Sequence, residues 1–138
     1  MASEQPDRQL ILIAERDPNV RELQRHFLKS AGFDVEFVDD GQAALERARE
    51  RVPAVVVTEI MLPKLDGLTL CRRLHDDAIT QDVPVLVFSI LAAEARARDA
   101  GAQAFLRKPL VAAVFLATVH GVIAAQSSGI TEQQWAAR

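Results

Sequence analysis

The feature that constrains this chain most is a repeated change of hydrophobic period. Five short apolar runs alternate with segments of helical spacing: LILIA (10–14), FDVEFV (33–38), AVVVT (54–58), VPVLVFS (83–89) and AFL (104–106). The first helical segment, PNVRELQRHFLKSAG, spaces Val20, Leu23, Phe27, Leu28 and Ala31 along one face, carries Pro18 near its start and ends at Gly32. Asp40 is placed to cap a second helix, GQAALERARE. Three more helices are expected over about 68–74, 92–99 and 110–125.

Strict alternation requires crossover connections, and crossovers give parallel strands with helices on both faces. AVVVT shows no polar alternation, as expected of a strand covered on both faces. FDVEFV sets Phe33, Val35 and Phe37 against Asp34 and Glu36, so it reads as an edge strand with one wet face. The expected fold is α/β: a doubly wound, five-stranded parallel sheet with five helices in the flavodoxin-like strand order 2-1-3-4-5. In that class, functional groups gather beyond the carboxyl ends of the strands, near the switch point between strands 1 and 3.

The 138 residues suffice for one domain. We divide them into an N-terminal extension (1–8), a domain (9–125) and a tail or start of a linker (126–138). A net charge of −3 argues against nucleic acid or an acidic membrane as the main partner, since a phosphate groove needs clustered Lys and Arg. The single cysteine, Cys71, excludes an internal disulfide and a multi-cysteine zinc site. It falls on the expected inner face of helix 3, where a small core residue is the default. MASEQPDRQ lacks the apolar run of a signal peptide, and PLVAAVFLATVHGVIAA (109–125) is shorter than a spanning helix needs. A cytoplasmic location is expected. His26, His75 and His120 fall on three different helices without metal-ligand spacing. The turn after strand 1, ERDPN, lacks the glycine-rich pattern of a nucleotide cradle.

The strand ends carry more information. Strand 1 runs into Glu15, Arg16 and Asp17, strand 3 into Glu59, strand 4 ends on Ser89, and strand 5 is followed by Lys108 and Pro109. One such residue is usually a solvated strand end. Four deliveries to the same edge of one sheet define a candidate pocket.

These residues, within LILIAERDPNVR, GFDVEFVDDGQAAL, PAVVVTEIMLPKLDGLTLCRRL, VPVLVFS and GAQAFLRKP, resemble the receiver domains of two-component response regulators (the CheY-like superfamily) over about residues 9–125. The resemblance implies an aspartate at the end of strand 3 that takes a phosphoryl group from a histidine kinase. It implies two acidic residues after strand 1 that hold Mg²⁺, and a Ser or Thr after strand 4 and a Lys after strand 5 that bind phosphoryl oxygens. Carried over residue by residue, Ser89 and Lys108 fit and Phe105 takes the switch aromatic position. The phosphoacceptor position holds Glu59 instead of Asp. The acidic positions fall on Glu15, Arg16 and Asp17, with an arginine where the second acid belongs. Ile90 is large where the family has a small residue, and is expected to crowd the path to helix 4. The Ser89-to-Lys108 spacing is short, so helix 4 should lose about one turn.

Mg²⁺ requires near-octahedral oxygen ligands. Arginine supplies no lone pair and adds a positive charge, so Mg²⁺ binding is expected to be lost and no cofactor is expected. Glutamate places its carboxylate one methylene further out, and in-line transfer tolerates little misplacement. Glu59 is then a fixed anion that Arg16 and Lys108 could both neutralise, either mimicking an activated state or filling a vestigial pocket. The chain reads as a degenerate receiver (pseudo-receiver) acting as a phosphorylation-independent protein–protein interaction module, not as an enzyme. The alternative is a working Mg²⁺-dependent phosphoacceptor with an unconventional site. Helix 5 can bury Leu110, Phe115, Leu116, Val119 and Val122, leaving Val111, Val114 and Thr118 outside as interface candidates. The partner would be another signalling protein, a further domain, or a second copy through the helix 4–strand 5–helix 5 face. In the tail, Thr131 and Gln134 could form a capping box, with Trp135 beyond them.

Overall fold

A computed structural model of the chain describes residues 8–128. The elements alternate throughout: β1 (Leu10–Ala14), α1 (Pro18–Ser30), β2 (Asp34–Val38), α2 (Gly41–Glu50), β3 (Val55–Thr58), α3 (Gly67–Asp76), β4 (Val85–Ser89), α4 (Glu94–Asp99), β5 (Ala104–Arg107) and α5 (Ala112–Ser128). The strands form one parallel sheet in the order β2-β1-β3-β4-β5, the expected doubly wound topology. The two apolar faces bury separate cores. On one side Leu12, Val56 and Val87 of the sheet meet Ala44, Leu70, Leu74 and Ala97 from α2, α3 and α4. On the other side Ile13, Val57 and Phe88 meet Leu28 of α1 and Phe115 and Val119 of α5. Among the described residues, no helix is long and apolar enough to cross a membrane.

The starts of α1, α2 and α3 are set by side-chain acceptors that satisfy otherwise orphaned N–H groups. Asp40 caps α2 by accepting from Ala43 N–H, and Asp66 caps α3 by accepting from Thr69 N–H. Central strands β1, β3 and β4 are buried at every position, whereas β2 is half-buried along its length. The wet face of β2 carries ion pairs from Glu36 to Arg47 and from Asp34 to Arg8.

Two expectations about packing are corrected. The inner stripe of α1 is Val20, Gln24, Phe27 and Leu28, while Leu23 is 44% exposed and Ala31 is also outside. Positions 23 and 24 both fit a helical repeat counted from Val20, but they differ by about 100° around the axis. The sheet faces the glutamine, whose buried amide has no partner among the described residues. Ile90 is 61% exposed and projects away from the core, so it does not crowd β4 against α4. α5 continues to Ser128. α4 is short, with six residues. Cys71 is fully buried in the core beside Leu70 and Leu74. Thr131, Gln134 and Trp135 lie outside the described residues.

Candidate functional site

The carboxyl edge of the sheet is built by continuing the parallel ladder one residue past each strand. Glu59 N–H donates to Ala14 C=O at 3.1 Å, Glu15 N–H to Val38 C=O at 3.3 Å and Lys108 N–H to Ser89 C=O at 2.8 Å. The backbone thereby fixes four residues from distant parts of the sequence along one rim. Glu15, Glu59 and Ser89 are buried there, and Lys108 is half-buried. The Lys108–Pro109 peptide is cis.

Lys108 is the centre of the arrangement. Its Nζ lies 3.0 Å from Glu59 Oε2, 3.1 Å from Glu15 Oε1 and 3.2 Å from Glu15 Oε2. The remaining Glu59 oxygen, Oε1, accepts from Ile60 N–H at 2.6 Å, so this carboxylate folds back on its own chain. Glu15 Oε2 also accepts from Asp17 N–H at 3.1 Å. All four carboxylate oxygens therefore hold at least one donor. Ser89 Oγ accepts from Leu91 N–H at 3.1 Å, and its hydroxyl also hydrogen-bonds Glu59. Burial pushes the Glu59 carboxyl up, but bonds from Ser89, Lys108 and Ile60 N–H, with the Lys108 charge, outweigh it and hold the group below its ordinary value. Burial likewise pushes Lys108 down, and its bonds and attraction to Glu59 and Glu15 reverse this and raise it.

Two residues assigned to the acidic positions are not in this cluster. Arg16 is exposed, and the ion pairs formed by Glu59 and Glu15 within the described residues go to Lys108. The expected Arg16–Glu59 pairing is thus absent, because the ammonium already satisfies the buried carboxylates and the guanidinium keeps its hydration at the rim. Asp17 is also exposed and serves as the α1 N-cap, accepting from Asn19 N–H at 2.8 Å and Val20 N–H at 3.3 Å. Glu15, Glu59 and half-buried Lys108 together carry a formal charge of −1.

Sequence reasoning missed Arg21. Its side chain reaches back from α1 to Glu15 C=O, donates to Val38 C=O at 2.9 Å and pairs with Asp39 at 2.7 Å. It ties the β1 and β2 ends together under the site, and a four-residue step from Asp17 gives no sign of this. The β3–α3 loop is held by a close backbone approach. A Cβ on Gly67 would lie 2.0 Å from Glu59 O, and one on Gly41 would lie 1.9 Å from Leu65 O. Only glycine admits such contacts. That explains the Asp-Gly pair in MLPKLDG: Asp66 caps the helix, and Gly67 lets it sit directly on the Glu59 backbone. Phe105 is half-buried, packing on the α3–α4 core and lining a groove of about 630 Å³ with Ala95, Arg98 and Leu106.

Mg²⁺, which the resemblance implies, does not fit this donor set. Two carboxylates are present, both already engaged by an ammonium, and the position that should add a third donor carries an exposed guanidinium. Among the described residues, no group of three or more His, Cys, Asp and Glu side chains is clustered to hold a metal ion.

Comparisons with known proteins agree with this architecture. Residues 11–120 match the family model described as the response regulator receiver domain. The chain is 35% identical over 116 residues to the DNA-binding dual master transcriptional regulator RpaA of Synechocystis, covering 82% of this chain and 48% of that protein. It is 34% identical over 116 residues to the response regulator MprA of Mycolicibacterium vanbaalenii, covering 82% and 49%. The chain thus spans about half the length of the curated relatives it matches. A crystal structure of a response regulator from Chloroflexus aurantiacus superposes with a TM-score of 0.82 at 27% identity, covering 86% of this chain and 99% of that one. Fold, rim and family match lead to one conclusion: the chain belongs to the response regulator receiver domains of two-component systems.

Proposed function

We propose that this receiver works as a phosphorylation-independent protein–protein interaction module in two-component-type signalling, with a permanent ion cluster where relatives carry a reversible phosphoryl group. The observation that carries this reading is the Lys108 ammonium bridging Glu59 at 3.0 Å and Glu15 at 3.1 Å, with Ile60 N–H on the last free oxygen. A nucleophile for phosphoryl transfer needs an available carboxylate oxygen and compensation for the charge on the transferred group. Glu59 offers neither, and its longer side chain displaces the oxygen from an in-line position. Receivers are signalling modules, and no catalytic role is assigned to this one.

The output surface is the α4–β5–α5 face. Val111 and Val114 are 57% and 49% exposed, beside half-buried Thr118, whose hydroxyl donates to Val114 C=O at 2.8 Å. The opposite side of α5 supplies Phe115, Val119 and Val122 to the core, with Leu110 and Leu116 partly buried against it. Charged replacements there, Val111→Glu with Val114→Glu, should abolish partner capture or self-association while leaving the fold intact.

The decisive test is a Mg²⁺ titration by calorimetry, followed by challenge with acetyl phosphate and with beryllofluoride. The expected result is no saturable Mg²⁺ binding and no mass gain. Saturable binding together with one added phosphoryl group would establish the second reading, a Mg²⁺-dependent phosphoacceptor.

A further inference from the structure

We infer that the groove between α3 and α4 binds a small molecule with an apolar body and a single carboxylate. α2, α3 and α4 lie side by side on one face of the sheet, and α3 packs along α2. The six residues of α4 leave the other flank of α3 uncovered, and the gap encloses about 440 Å³. Pockets for small ligands have this size. Two turns of a partner helix with its side chains would occupy roughly twice that volume. The floor is apolar: Ile60 and Leu68 are almost fully buried, and Leu62 and Leu91 pack partly buried against the same core. Met61, 63% exposed, also lines the groove, and its thioether adapts to irregular apolar shapes.

The polar lining selects the anion. Arg72 of α3 and Arg96 of α4 both line the groove, both are exposed, and neither has a partner among the described residues. The planar guanidinium fork matches a carboxylate through two parallel N–H···O bonds. Asp66 and Asp99 line the groove as well. Both Asp66 oxygens are taken up by the α3 cap, one by Thr69 N–H at 2.8 Å and the other by the Thr69 hydroxyl at 3.0 Å. The four charges cancel, so no net field draws a multiply charged ion, and a dianion would be repelled by Asp99 more strongly than a monoanion. A carboxylate therefore fits better than a phosphate. The apolar floor also touches the rim. Ile60 N–H donates to Glu59 Oε1 at 2.6 Å, and Leu91 N–H donates to Ser89 Oγ at 3.1 Å. An occupant thus acts on the ion cluster through two backbone amides, which gives a phosphorylation-independent module a chemical input. The binding site stands without the proposed function; only its use as an input rests on it.

The experiment titrates the full chain with naphthoate, a rigid apolar carboxylate, and follows backbone amide signals in heteronuclear spectra. Saturable shifts are expected at Ile60, Thr69 and Leu91, with none at Val52 and Ile79 beside the amino ends of β3 and β4. Arg72→Gln and Arg96→Gln, both at exposed positions, should each weaken binding about tenfold, the loss of one charge-assisted pair. Uncharged naphthalenemethanol should bind more weakly by about the same factor or more, and naphthyl phosphate should also bind more weakly than naphthoate. Absence of saturable shifts would overturn the inference. Shifts confined to other faces would overturn it too, as would an affinity unchanged in both arginine variants. Tighter binding of naphthyl phosphate would replace the carboxylate with a phosphate. Shifts produced by an acidic helical peptide but not by naphthoate would assign the groove to a protein partner instead. None of these outcomes requires Mg²⁺ or phosphoryl transfer, so failure here leaves the proposed function intact.

Discussion

Lys108 and Glu59, 49 residues apart in sequence, meet at 3.0 Å on the rim of the sheet, and the same ammonium reaches Glu15. Removing one member of a buried ion cluster costs more than the cluster itself contributes, because the remaining charges stay buried without partners. Lys108→Met should therefore destabilise the fold by about 3 kcal/mol at neutral pH, measured as a lower urea midpoint. Adding Glu59→Gln to that variant should recover part of the loss. If Lys108→Met were neutral, the ammonium would not be compensating the carboxylates.

The same cluster sets the pH dependence. The Glu59 carboxyl lies below its ordinary 4.5, so its contribution is complete above that value and is lost as pH falls through the lower folded-state value. Lys108 is raised above 10.5, so its contribution is complete below that value and is lost as pH rises through the folded-state value. Urea midpoints should form a plateau between the two limbs. Glu59→Gln should flatten the acid limb, and Lys108→Met should flatten the alkaline one.

Gln24 is fully buried, and neither end of its amide has a partner among the described residues. Gln24→Leu removes the desolvation cost at nearly equal volume and should stabilise the domain by about 1 to 2 kcal/mol, read from thermal or urea unfolding. A loss of stability would mean that an ordered water satisfies the amide.

Gly67→Ala would drive a methyl group into the Glu59 carbonyl. The expected loss is about 3 kcal/mol, together with displaced backbone amide signals at Glu59 and Ile60 in heteronuclear spectra. An unperturbed spectrum would show that the β3–α3 loop yields freely.

Restoring the acidic pattern tests which residues would oppose Mg²⁺ binding at this rim. Glu59→Asp alone should confer no Mg²⁺ affinity, whereas Glu59→Asp with Arg16→Asp should give saturable binding by calorimetry. Failure of the double variant would locate the obstacle in the Lys108 bridge, because Arg16 already lies at the exposed rim.

The strands, their order and the convergence of Glu15, Glu59, Ser89 and Lys108 were legible because backbone periodicity and crossover rules settle them without side-chain detail. The Asp40 cap was legible for the same reason, since capping is a local interaction. What escaped was direction at the rim and on α1. Whether Arg16 and Ile90 turn inward or outward depends on which competitor reaches the interior first, and no local pattern encodes that. Leu23 and Gln24 both satisfied the helical spacing, and hydrophobicity favoured the residue that the fold left outside. Asp17 was read as a pocket acid, although its position one residue before Pro18 at the α1 start equally described the cap it forms.

Lys108 extends from the end of β5, passes over β4, and fastens to the ends of β3 and β1. It therefore acts as a cross-brace perpendicular to the backbone ladder, anchoring an outer strand to the middle of the sheet. Mechanical load applied through α5 would meet this side-chain tether before the β4–β5 hydrogen bonds could unzip in sequence. Peeling of that edge is thus coupled to the charge state of two carboxylates on the far side of β4.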